Sequence, residues 1–236
     1  MIHIDADAGE ALRELLEVPR EARDAAWQER FDEAVLRAPF EPGDLMQGPD
    51  GFAYRVLRSA GPGADAAKLT SVPAVAQDAT ENGYGVVIDP DAEGAAAWVF
   101  HYGQLWSLRE YDSLHGDPED EAAEGGGPEQ IAEDRQIMVG QPNDRMFPEY
   151  ARRVVAKYLE RVVGVVEPQV LVMVDPAARP SRNLVFNLHP EAFPDEPSFQ
   201  MALQSLMWFL PPNRGVIAVS QSAGFDEAFA PLHPSN

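Results

Sequence analysis

Residues 116–134 read GDPEDEAAEGGGPEQIAED, and this stretch decides how the chain is laid out. Eight carboxylates and no basic residue sit around a Gly125-Gly126-Gly127-Pro128 break. Like charges at this density repel one another, and glycine and proline oppose both helix and strand. The stretch therefore reads as the core of a linker, residues 116–146, between two folded parts of similar size, 1–115 and 147–236. A chain of 236 residues suits either one large domain or two small ones.

Outward from the linker, the same charge imbalance runs through the whole chain. There are 39 acids against 18 bases, a formal net charge of -21, and only Lys68 and Lys157 are lysines. A field of that sign repels phosphate backbones and anionic lipid, which disfavours nucleic acid and membrane surfaces and favours a protein partner of basic character. It also serves solubility, or life in a salty cytoplasm. Cysteine is absent, so disulfides, thiolate chemistry and cysteine-held zinc are excluded. No apolar run approaches the ~18 residues of a membrane span, and residues 1–9 lack a basic, then apolar, leader pattern. These features point to a soluble, cytoplasmic protein, with no cofactor expected.

In the N-terminal part, residues 8–18 form a short helix behind Asp7. Trp27, Phe31, Ala34 and Val35 recur at the spacing of one helical face. Residues 51–57 alternate as a strand. Ser71 caps a second helix, with Pro73 in its first turn and Gly83 at its end. Residues 85–88 make a short buried strand closed by Asp89-Pro90. Residues 95–109 then read as a hairpin about a Gly103-Gln104 turn. In the C-terminal part, Pro148 starts a helix through Val163, residues 170–174 and 184–188 are strands, Ser198 caps a helix through Leu210, and residues 215–219 are a last strand. Both parts share an order of helix, strand or strands, helix and strand. The expected fold is α+β, two similar units with mainly antiparallel sheet.

No assembled reaction centre emerges. Ser222 sits in Ser220-Gln221-Ser222-Ala223-Gly224, after a strand, and is a weak nucleophile candidate: the first glycine of an elbow is missing, and only Asp226 and His233 follow as partners. Asp89 and Asp91 could support carboxylate chemistry, but such residues also build turns. The five histidines show no metal-ligand spacing, so no metal is expected. Arg179 and Arg182 could clamp an anion. In a two-sided hairpin Trp98 and Trp106 point to opposite faces, so one of them would meet a groove or a partner. Trp98, Phe100, Tyr102, Trp106 and Arg109 are thus the expected partner-binding residues.

The segments NGYGVVIDPDAEG (residues 82–94) and PQVLVMVDPAARPSRNLVFNL (residues 168–188), each set against a helix, give the chain an element order that resembles the enhanced-serine-sensitivity family and secretion-chaperone-like α+β modules. The resemblance implies a non-enzymatic accessory protein and carries over no functional residue. The aromatic hairpin and the acidic linker depart from its pattern. The functional expectation is an acidic accessory or adaptor protein that uses the hairpin and an adjacent groove to bind another protein. The alternatives are a serine- or carboxylate-based hydrolase, and an immunity-type protein that neutralises a basic partner.

Overall fold

The computed structural model describes residues 5–61, 63–118, 137–176, 181–217 and 224–232. The chain is α+β and divides into two compact units, Met1–Leu105 and Trp106–Asn236. Most of the acidic stretch, residues 119–136, lies outside the described residues.

In the first unit, Asp5 opens α1 (Ala6–Glu17) by accepting the backbone N–H of Asp7 at 3.0 Å. Pro19 ends that element, and Asp24 opens α2 (Ala25–Arg37) by accepting from Trp27 N at 2.8 Å. The helical face read from the sequence is the buried one: Trp27, Phe31, Ala34 and Val35. Trp27 and Phe31 stack with ring centroids 4.9 Å apart, and Trp98 lies 4.3 Å from Phe31. Each large aromatic taken from water here is worth about 1.5–3 kcal/mol.

Next come β1 (Phe40–Gln47) and β2 (Ala53–Ser59), an antiparallel pair whose register shifts between Pro42 and Leu45. α3 (Val72–Asn82), capped by Ser71 and ended by left-handed Gly83, returns the chain to β3 (Gly85–Ile88), which runs parallel to β2. β4 (Trp98–Phe100) adds antiparallel to β3, giving the order β1-β2-β3-β4. β3 is buried throughout. A Cβ at Gly85 would stand 2.6 Å from the Phe100 carbonyl oxygen and 2.7 Å from the Tyr54 ring, so only glycine lets these strands close.

After β4 the structure corrects the sequence reading. Residues 95–109 are not a hairpin: β4 is followed by α4 (Tyr102–Tyr111), within which the two units divide. Gly103-Gln104 lies in the first helical turn, where Gln104 Oε1 accepts from His101 N at 3.0 Å and Leu105 N donates to His101 O. Tyr102, Leu105 and Trp106 recur at i, i+3 and i+4, and all three are fully buried. The helical period wins because it hides both sides that a strand would have left open.

In the second unit, β5 (Met138–Gly140) pairs antiparallel with β6 (Gln169–Val174). α5 (Glu149–Tyr158) begins behind Pro148 and runs into a π-helical turn, Leu159–Val163, closed by left-handed Gly164. β6 pairs antiparallel with β7 (Arg182–Phe186). α6 (Glu196–Met207) is capped by Asp195, not by Ser198: Asp195 accepts from Ser198 N at 2.8 Å, and the Ser198 side chain first, then this backbone N–H, holds its carboxyl below the ordinary range. β8 (Gly215–Ile217) runs parallel to β7, and β9 (Ala230–Pro231) pairs with β6. Leu171, Met173 and Val185 centre the core, with Ile217, Phe225 and Phe229 packed against them.

Both units therefore contain one motif: an antiparallel strand pair, a helix, and a strand returning parallel to the second of the pair. This gives physical form to the repeated element order expected from the sequence.

Candidate partner-binding surface

The expected aromatic surface is mostly interior. Phe100, Tyr102 and Trp106 are buried, and Trp98 is half-buried against Trp27 and Phe31. Tyr102 donates its hydroxyl to Thr80 O at 2.9 Å. Trp106 stacks on Phe147 at 5.5 Å. Arg109 is half-buried, with its guanidinium 4.0 Å from the centre of the Tyr150 ring and 3.6 Å from Glu110. These side chains hold their own units together. The burial of Tyr102 and Trp106 follows from helix α4, which the hairpin reading did not contain, while Trp98 and Phe100 pack from β4 against α2.

Among the other candidates, Arg182 is an exposed residue at the start of β7. Arg179, Ser222 and His233 lie outside the described residues. Asp89 and Asp91 are occupied as turn-formers. Asp89 (φ +46°) accepts from Ser59 N and Ser59 Oγ at 2.8 and 2.6 Å, and Asp91 accepts from Glu93 N and Ala95 N. Among the described residues, no group of three or more His, Asp or Glu could hold a metal ion.

Besides Asp195, two titrating groups among the described residues are displaced from their ordinary range. Burial, reinforced by the hydrogen bond its hydroxyl donates to Asp78, pushes Tyr84 up to about 12. Arg55, 3.9 Å from Asp78 and 5.4 Å from the Tyr84 ring centre, works the other way. The exposed His101 has part of its ring packed on the protein. The lost hydration holds its pKa below the ordinary imidazole value, against the pull of Asp50. A phenol this weak and an imidazole kept neutral make a structural end to the sheet rather than an acid–base pair near neutrality.

The most heavily buried charges belong to the second unit. Arg214 and Asp117 are each 2 % exposed, with 3.7 Å between Nη2 and Oδ2. Arg214 also donates to Met146 O and, at 2.9 Å, to the Tyr111 hydroxyl, while Asn213 donates to Asp117 O at 2.7 Å. Gly116 (φ +111°) permits this approach, since a Cβ there would collide with the Asn213 amide. Closed off from solvent, the cluster is a fastening.

Two cavities of the first unit are open: one of about 610 Å³ lined by Glu41, Pro42, Asp65 and Lys68, and a furrow of about 500 Å³ between α1 and α2. Ala8, Ala11, Leu15, Val18 and Ala34 form its apolar floor, where small side chains keep it hollow. Asp5, Asp7, Glu14 and Glu33 outnumber Arg30 and Arg37 on its rim. Arg37 is already spent on Asp5 at 2.6 Å and Glu33 at 3.1 Å. Asp7 and Glu14 make no ion pair among the described residues. The sequence reading missed this surface because α1 and α2 were judged one at a time. The alternation of acids with small apolar residues along 5–18 was the available signal. Comparison with protein-family profiles, with curated proteins and with solved structures gives no match.

Proposed function

We propose that this chain is a non-enzymatic accessory module that binds a basic segment of another protein in the α1–α2 furrow. The observation that carries the reading is the furrow itself: an apolar floor bounded by four carboxylates, of which Asp7 and Glu14 make no ion pair among the described residues, in a chain of net charge -21. The floor offers burial at about 25 cal/mol per Å². The rim and the overall field supply steering toward cations.

The test is fluorescence anisotropy of a labelled amphipathic peptide rich in Lys and Leu, against the whole chain. Binding should weaken steeply as salt rises. Ala11→Arg, which fills the floor from an exposed helix position, should raise Kd by about tenfold, or ~1.4 kcal/mol. Unchanged binding by Ala11→Arg and by Glu14→Lys would overturn the reading.

A further inference from the structure

The α1–α2 furrow already holds one cation of the chain's own. Arg37, the last residue of α2, reaches across to α1: its Nη2 meets Asp5 Oδ2 at 2.6 Å, while its Nη1 meets Glu33 Oε1 at 3.1 Å. All three residues line the furrow. Glu33 and Arg37 stand one turn apart on α2, an ordinary helix-surface pair, and the helix dipole favours a cation in the last turn. Neither accounts for Asp5, which lies 32 positions from Arg37 and caps the other helix. Two carboxylates on two elements thus grip the two terminal nitrogens of one guanidinium. An ammonium, a single point of charge, cannot fill the same place.

The grip is exchangeable while its walls are fixed. Half of the Arg37 side chain is open to solvent and the Glu33 side chain is 72 % exposed; ion pairs in such positions contribute little to stability. Asp5 keeps its place by other bonds. Its Oδ1 accepts from Asp7 N at 3.0 Å, and its backbone N–H donates to Arg37 O at 3.1 Å. The two helices are also joined at the far end of the furrow. There Trp27 Nε1 donates to Leu15 O at 2.9 Å, and Arg23 donates to Val18 O and Leu16 O at 3.0 and 3.2 Å. Swinging the Arg37 side chain outward therefore leaves both carboxylates standing beside the apolar floor.

We propose that Arg37 is an internal competitor, and that the segment bound in the furrow carries an arginine which takes its place between Asp5 and Glu33. This rests on the furrow being the binding surface, and adds to it the identity of the partner's cation and a contact that opposes weak binders. Exchanging one guanidinium for another conserves both ion pairs, so the gain on binding comes from covering the apolar floor. The exchange supplies selectivity. A lysine in the same place would satisfy one carboxylate and leave the other without its cation. A segment with no basic residue would leave Arg37 where it is.

The experiment titrates the full chain into two labelled peptides of equal length and charge, one of Arg and Leu and one of Lys and Leu. Circular dichroism checks that each variant is folded. The wild type should bind the Arg/Leu peptide more tightly. Arg37→Gln should lower Kd for that peptide about fivefold, the size of one exposed ion pair, and by less for the Lys/Leu peptide. Glu33→Gln in the same background should cancel the gain. Arg30 also lines the furrow and makes no ion pair among the described residues. Arg30→Gln therefore makes the same change of net charge without freeing a carboxylate, and should lower Kd by less than about twofold. Arg37→Lys keeps the charge, loses the fork and should lower Kd about threefold; it carries the test if Arg37→Gln does not fold. An unchanged Kd in Arg37→Lys, or equal gains from Arg37→Gln and Arg30→Gln, would overturn the exchange while leaving the furrow in place. Failure of every form to bind either peptide would overturn the furrow, and the exchange with it.

Discussion

At the scale of single residues, Tyr84 shows how an environment retunes a group without making it reactive. Its phenol is partly desolvated and donates to Asp78, both of which favour the protonated form. The unfolded chain releases this proton near 10 and the folded chain near 12. The neutral phenol's contribution to stability is therefore complete below pH 10 and is lost as pH rises through 12. Phenolate absorbance, read as the difference between wild type and Tyr84→Phe, should show a midpoint near 12 that falls in Asp78→Asn. A midpoint near 10 in the wild type would contradict the hydrogen bond. Asp78 lies four residues before Asn82 on α3, a spacing legible in the sequence. Its reach to Tyr84 across Gly83 was not legible, because it depends on the left-handed turn.

Among elements, the fastening in the second unit gives the sharpest expectation. Arg214 lies just before β8 and touches Tyr111 at the end of α4, Met146 before α5 and Asp117 beyond α4. Arg214→Met removes the cation and leaves Asp117 buried without it. Loss of one partner from a buried pair costs about 3–5 kcal/mol, so urea denaturation should show a fall of that size. A fall below ~1 kcal/mol would mean that the pair is hydrated, as surface pairs are. Neither Arg214 nor Asp117 stood out in the sequence, since they lie 97 positions apart (214 − 117) and no local pattern links them. By contrast, α2, α3 and β3 were legible, because periodicity, a Ser cap, a glycine stop and a short apolar run each speak for one element. α4 was misread: Trp98, Phe100, Tyr102 and Trp106 alternate as a strand would, and only the packing of Tyr102, Leu105 and Trp106 selects the helix.

For the whole molecule, the charge of -21 opposes compaction, and its self-repulsion weakens as salt shortens the Debye length. Raising sodium chloride from about 0.01 M to about 0.5 M should raise the melting temperature of the free chain. The same change should weaken peptide binding at the α1–α2 furrow. A melting temperature that falls with salt would mean that internal ion pairs outweigh the net repulsion. Among the described residues, no helix is long and apolar enough to cross a membrane, which agrees with the absence of a long apolar run.

Composition and periodicity were enough to establish the acidity, the α+β class, the repeated order of elements and the existence of α1, α2, α3, α5 and α6, because these are properties of neighbouring residues. Tertiary structure alone decided that β1 pairs with β2, that the aromatic run bends from strand into helix, and that Arg214 meets Asp117. It also decided that α1 and α2 leave a furrow between them. Each of these depends on which distant surfaces come into contact, and burial energy is settled there rather than along the chain.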